Sequence, residues 1–516
     1  MSADNENCTN QQGYSMVYLI LLLGLLIPGA AMAASLDELI DRAVSPVSDA
    51  LTNIIFYELN LGFANIPFIV VWLVTGATFF TLYFRFINLR AMKHSVRLIR
   101  GDYTDPNATG DVTHFQALAT ALSGTVGLGN IAGVAIAVST GGPGATFWMI
   151  LAGLLGMSSK FTECTLGVKY RRVNEDGTIS GGPMYYLSHG IAENYPALAG
   201  FGKALAMIFA VFCIGGAIGA GSMFQTNQAF GQLLVITGGD SSPLADYGWA
   251  FGAVIAVLVG LVIIGGIRSI AKVTEKIVPF MGALYVLVGL IIIISNIGAL
   301  PAAFGAIING AFSPEGVAGG AIGVLILGFR RAAFSNEAGV GSAAIAHSAV
   351  KTNEPVTEGL VALYEPFVDT VVICTITALV IIITGAVDPN TSMEGVALTS
   401  RAYASVFEWF PYLLFFAVLL FAFSTTISWS YYGVKSWTYL VGEGKGKELV
   451  FKVIIMISVI LGASVNLAAV MNLADSMILV MSVPNLIGVY LLTPIVKREL
   501  DSYWGRYKRG ELKVYR

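Results

Sequence analysis

Ser123-Gly124-Thr125-Val126-Gly127-Leu128-Gly129-Asn130 sits inside an otherwise apolar run, roughly 113–138, and its reading decides the fold. Glycine weakens a helix because it has the most backbone freedom to lose, so the glycines at 124, 127 and 129 make unwinding cheap. Unwinding frees N–H and C=O groups. In lipid this is tolerated only where the segment lines a cavity or meets a ligand. A second interrupted stretch, Gly328-Phe329-Arg330-Arg331-Ala332-Ala333-Phe334-Ser335-Asn336-Glu337-Ala338-Gly339, lies in the run near 318–347. Paired breaks in corresponding positions of two halves point to an inverted-repeat architecture with a binding site at the membrane midplane. For the glycines alone the competing account is close helix packing, since small-xxx-small patterns are common in membranes.

The rest of the chain agrees with a membrane setting. Of 516 residues, 56% are hydrophobic and only 12% charged, and mean hydropathy is +0.75. A soluble chain of this length needs far more charge. After a first run at 16–34 and a second at 65–87, apolar runs fall near 113–138, 144–168, 204–235, 248–267, 277–298, 318–347, 359–386, 409–434, 448–468 and 470–496. At about 20 residues per crossing, that is about ten spans after the leading one. The run at 16–34 ends in Ala31-Met32-Ala33-Ala34, which resembles a signal-peptide cleavage site, but no Lys or Arg precedes it. It reads as a signal-like or anchor segment, with Met16 as an alternative start.

Basic residues alternate with the loops. Arg85, Arg90, Lys93, Arg97 and Arg100 share one loop. Lys169, Arg171 and Arg172 follow two spans later, then Arg268, Lys272 and Lys276, then Lys351, then Lys435, Lys445 and Lys447, and finally the tail with Lys497, Arg498, Arg506, Lys508 and Arg509. The loops between, such as Asp240–Asp246 and Asp388–Glu394, are acidic. The positive-inside rule makes the basic loops and the C-terminus cytoplasmic. The run at 113–138 then enters from inside and that at 318–347 from outside, so the two groups of five have opposite orientation. The expected organisation is residues 1–34 as the signal-like or anchor segment, 35–112 as a periplasmic segment, leading helix and basic loop, 113–298 and 299–496 as two five-helix repeats, and 497–516 as a basic tail. The expected fold is an all-α membrane protein with a five-plus-five inverted-repeat core and one extra leading transmembrane helix.

Several residue patterns bear on a ligand. Freed N–H groups and a half-helix N-terminus suit a carboxylate, while freed carbonyls and the opposite half-helix end suit an ammonium or sodium. Arg330 and Arg331 lie near the middle of their span, where a lone charge costs ~2.5 kcal/mol or more. Glu337 is close in sequence, and Glu365 and Asp369, at i and i+4, share a helix face. Together these five read as a gating ion-pair network on the cytoplasmic side; the alternative is a shorter span with interfacial arginines. The hydroxyl run Ser424-Thr425-Thr426-Ile427-Ser428-Trp429-Ser430 offers neutral hard oxygens, which suit a monovalent ion, although such hydroxyls often bond only to the carbonyl four residues back. Cys8, Cys164, Cys213 and Cys374 are far apart and form neither a disulfide framework nor a metal spacing. His94, His114, His189 and His347 make no His-Glu-x-x-His, and no G-x-S-x-G elbow is present, so nothing points to an enzyme. Two broken helices in place of a filter loop argue against a channel, and a net charge of −3 argues against a nucleic-acid partner.

The two breaks, T-V-G-L-G-N (Thr125–Asn130) and Gly328–Gly339, with G-G-P-M-Y-Y (Gly181–Tyr186), resemble the alanine or glycine:cation symporter family over roughly 65–500. V-G-L-G-N also resembles the first core helix of the bacterial leucine transporter and other neurotransmitter:sodium symporters. The resemblance implies a sodium-coupled symporter importing small neutral amino acids, alanine and glycine, by alternating access across a bacterial-type inner membrane. Sodium is then the coupling ion, and no other cofactor is implied. The ion would be held by the carbonyls of Ser123, Val126 and Ala422 and the hydroxyls of Thr425 and Thr426. Substrate would meet the backbone around Thr125, Leu128 and Gly129, with Asn130, Gln225, Phe329 and Trp429 lining the pocket. Asn130 also matches one ligand position of a second sodium site found in some relatives of the fold. A proton-coupled amino-acid carrier of the same fold is the rival. A lysine near Thr425–Thr426 would mark it, and none is present.

Overall fold

The computed structural model describes residues 50–515 except 51, 61, 63, 176, 314–319 and 388–394. The run at 16–34 and the acidic loop Asp388–Glu394 lie outside the described residues. What is described is almost entirely helical, with two short antiparallel ribbons, β1 (Glu58–Asn60) with β2 (Asn65–Pro67) and β3 (Arg172–Val173) with β4 (Ile179–Ser180).

A leading helix α1 (Phe68–Tyr83) precedes the core. The core follows as α2 (His114–Thr125) and α3 (Ala132–Gly141), α4 (Ala145–Lys169), α5 (Pro196–Thr237), α6 (Gly248–Ile263) and α7 (Gly266–Ser295). Next come α8 (Gly320–Asn336) and α9 (Ala343–His347), α10 (Pro355–Ile383), α11 (Phe410–Val441), α12 (Lys445–Gly462) and α13 (Leu467–Lys508). By length and apolar composition six of these cross a membrane, or seven when α2 and α3 count as one bent span. The expected runs near 65–87, 144–168, 318–347 and 448–468 miss that criterion for physical reasons: α1 has only 16 residues and α12 opens with Lys445, Lys447, Glu448 and Lys452. α4 carries Lys160 and Glu163 in its interior, and α8 is short and carries two arginines. The apolar windows mark the membrane crossing and not the helix: α7 begins eleven residues before its apolar run, and α13 continues to Lys508.

The basic loops meet at one end. Arg171 donates to the carbonyls of Thr109 (2.8 Å), Ser348 (2.9 Å) and Thr352 (2.7 Å). Arg268 pairs with Asp111 at 2.9 Å, Lys435 with Ser180 at 2.9 Å, and Arg506 clamps Glu354 through two 2.8 Å bonds.

Candidate functional site

The first break forms where the glycines sit. α2 ends at Thr125, one 3-10 turn covers Leu128–Asn130, and α3 leaves at 56° to α2. Gly127 has extended backbone, so its role is close approach and not a left-handed turn. A Cβ there would stand 2.5 Å from Thr425 Oγ1 and 3.0 Å from Gln225 Oε1. The freed groups are partly satisfied. Leu128 N donates to Gln225 Oε1 at 3.0 Å and Gly127 N to Asn130 Oδ1 at 2.9 Å. The last carbonyls of α2 have no successor turn to bond, and they sit at the negative end of its dipole. Ser123 belongs to this set, and Val126 follows as the C-cap residue of α2.

Opposite them, Thr425 Oγ1 is buried and has no partner among the described residues. Thr426 Oγ1 donates to the Ala422 carbonyl at 2.8 Å, and Ser123 Oγ donates to Ser424 O at 2.5 Å. A hydroxyl pressed against an unwound backbone with nothing to bond is what a small cation would satisfy. α11 thus faces the first break with the predicted set Ala422, Thr425 and Thr426.

The second break lies further along than the sequence indicated. α8 runs unbroken through Gly328, Phe329, Arg330 and Arg331 to Asn336. The chain turns at Glu337 (φ 55°), Gly339 (φ 87°) and Gly341 (φ 93°), all left-handed. For a non-glycine residue this conformation is strained, and Glu337 holds it at the centre of the molecule. Trp429 Nε1 donates to Glu337 Oε1 at 3.1 Å, and Ser342 Oγ donates to its other oxygen.

Between the breaks is a cavity of about 10 Å³, room for roughly one water. Nothing larger than a water fits between its walls as they stand. Of the predicted residues, Thr125, Gly129, Gln225 and Trp429 border it, with Leu128 held beside them by Gln225. Two predictions need correction. Phe329 packs near Trp148, with ring centroids 6.4 Å apart, and Phe334 forms the cavity wall instead. With α8 unbroken here, the five-residue separation turns Phe329 about 140° away from Phe334. Asn130 turns away as well: its amide donates to Asp369 Oδ1 at 2.6 Å, bracing the first break from behind. Glu337, read as a gate, is the one ionisable residue among the described residues that line this cavity.

The expected single gate is dispersed: beside Glu337 at the cavity, its residues fall into three further clusters. Arg330 donates to Asp475 Oδ2 through Nε at 3.1 Å and Nη2 at 2.7 Å, and Arg331 Nη2 donates to the same oxygen. This triad is at the end opposite the basic loops, not beside Glu365. The reason is again α8, which carries the arginines nearly two turns before its break. Asp369 leaves the Glu365 face because the chain between Phe367 and Cys374 is a π-helix, which spoils the i, i+4 alignment. It accepts from Asn130 and from Ser335 Oγ (2.8 Å).

Glu365 belongs to a third cluster, at the basic end. Lys160 Nζ donates to Glu365 Oε1 at 2.8 Å, and His347 reaches Glu365 Oε2 at 3.4 Å. His347 Nδ1 and His114 Nδ1 each lie 2.5 Å from one oxygen of Glu358. All five side chains are at most 2% exposed. The ladder ties α2 and α9, the basic-end arms of both broken helices, to α4 and α10. Sequence reading missed Lys160, Glu358, Asp475 and both histidines. The signal was available, since an ionisable side chain inside an apolar run is a functional candidate by default.

A wide cavity of about 810 Å³ opens at the basic end. It reaches Ser430 and Tyr431, one turn beyond Thr426 on α11.

Comparison with known proteins places this geometry. The model of the sodium:alanine symporter family matches residues 49–516. The sodium/alanine symporter AgcS of Methanococcus maripaludis is 40% identical over 87% of this chain and 96% of its own length. The putative sodium/proton-dependent alanine carrier protein YrbD of Bacillus subtilis is 32% identical over 86% of this chain and 90% of its own. Among solved structures, MhsT in complex with L-phenylalanine superposes with a TM-score of 0.56 at 14% identity, covering 76% of this chain and 93% of that one. This likeness shows a shared fold.

Proposed function

The chain belongs to the sodium:alanine symporter family, and from that premise we propose that it imports alanine and glycine with sodium by alternating access. It is a membrane transporter and not an enzyme. The observation that carries sodium coupling is the partnerless Thr425 hydroxyl held against the unwound end of α2. Sodium bound by Ser123, Val126, Ala422, Thr425 and Thr426 would join α11 to the first break. An amino acid bound to the same break would feel that ion, and coupling follows from sharing the segment. Thr125, Leu128, Gly129 and Gln225 offer the substrate head its polar contacts. Trp429 and Phe334 limit the side chain.

The same geometry supports two gates. The Arg330–Arg331–Asp475 triad closes the outer end. The ladder from His114 to Lys160 fastens the inner arms, with the basic end and the C-terminus in the cytoplasm of a bacterial-type inner membrane. The wide basic-end cavity near Ser430 is then the release route for the ion.

Proton coupling is the second reading, favoured by Glu337, a carboxyl group lining the cavity itself. Uptake of labelled alanine, glycine, serine and glutamine into proteoliposomes separates the two. A sodium gradient alone should drive alanine and glycine; accumulation driven by a proton gradient without sodium would replace the first reading with the second. A reporter fused after Arg516 should be active only as a cytoplasmic reporter.

A further inference from the structure

The outer triad does not balance. Two guanidinium groups share one carboxylate, and no other described acid forms an ion pair with either arginine. Arg330 is 27% exposed and stacks on Phe56 at 4.1 Å, so water and a ring face serve it. Arg331 is 3% exposed, and its Nε and Nη1 have no partner among the described residues. A buried cation with two idle donors is costly unless something anionic shares the site. The guanidinium lies 5.6 Å from the Phe334 ring, and Phe334 walls the central cavity. Asp475 is one helical turn before Ile478, which also borders the cavity. The idle donors therefore stand one turn above the substrate position, on the way in.

We propose that Arg331 is an anion site at this gate, taking a small monovalent anion: chloride, or the carboxylate of an incoming amino acid. Arg331 spends Nη2 on Asp475, leaving Nε and Nη1 on separate edges of the guanidinium. The site offers single contacts to a compact anion, not a two-toothed fork. When the gate opens and Asp475 withdraws, the anion keeps Arg331 neutralised. The consequence for entry rests on the transport reading, whereas the site itself does not.

Chloride-35 NMR line broadening on the full-length protein in nanodiscs, in sodium methanesulfonate, reads chloride binding without any transport. Wild type should broaden the line. Arg331→Gln should weaken chloride binding by about tenfold or more, and Arg331→Lys should restore part of it. Asp475→Asn removes the competing carboxylate and should strengthen binding by about tenfold, a gain that misfolding cannot produce. Adding alanine but not alaninamide should displace chloride if the substrate carboxylate uses the same donors; chloride retained beside alanine assigns the site to the free ion. No broadening in wild type or Asp475→Asn, with alanine association unchanged by Arg331→Gln, overturns the site. A protein that binds chloride but takes up no alanine would refute the symport reading and leave the anion site standing.

Discussion

Replacing Glu358 by glutamine should unfasten the inner arms of both broken helices at once. Glu358 lies 2.5 Å from His114 on α2 and 2.5 Å from His347 on α9, and all three are buried. Removing one partner of a buried charged pair costs about 3–5 kcal/mol. Glutamine keeps one acceptor oxygen, so about 3 kcal/mol is the appropriate end of that range. At 1.36 kcal/mol per decade this is a change of about 160-fold in the closed-to-open ratio. A gate resting near 99:1 would move to roughly 40:60. Ala117→Cys reports the change. Ala117 is fully buried where α2 meets Val350 and Val168, and the parent chain's described cysteines are buried and set the baseline. Membrane-impermeant maleimide applied from the basic-loop side should label Ala117→Cys slowly and the Glu358→Gln double variant far faster. Equal labelling rates, in two proteins that still bind alanine with sodium, would refute the ladder as a latch.

Thr425→Ala should raise the sodium concentration for half-maximal uptake more than Thr426→Ala, because only Thr425 lacks a protein partner; the reverse order in sodium titrations would move the site. Gly127→Ala should abolish sodium-dependent uptake while the protein still assembles, since its Cβ would stand 2.5 Å from Thr425 Oγ1; normal uptake would show that the two are not pressed together. Trp429→Ala should admit larger neutral amino acids and weaken alanine, because the wall no longer closes on a small side chain; a competition series from glycine to phenylalanine reads the change, and an unaltered ranking would place the wall elsewhere.

What the sequence disclosed, and what it did not, divides along a physical line. The apolar runs and the first break are local: each depends on hydropathy or glycine content within a window, and the helix bends where the glycines sit, while six spans, or seven with the bent pair, are long and apolar enough to cross a membrane. Whereas Gln225 came only from the family resemblance, the Thr425 hydroxyl was also legible, because it lies in a hydroxyl-rich run inside an apolar helix. The gate was not, because its partners are set by helix phase and by distance in sequence. Arg331 and Asp475 are 144 residues apart, and no periodicity links them. Proximity along the chain instead suggested Glu337, which the left-handed turn swings to Trp429. Glu365 and Asp369 looked like one face under the 3.6-residue rule, and the π-helix between Phe367 and Cys374 undoes that rule locally. Such a π segment recurs at Gly219–Met223, just before Gln225. These two segments adjoin residues that contact the first break, as π turns often do at functional sites, whereas a third, Tyr186–Gly190, lies away from it, with Tyr186 OH donating to Asn485 Oδ1. A reading that follows charges into the apolar runs, and then asks which helix can turn them to face one another, would have reached Asp475 and the histidine ladder as well.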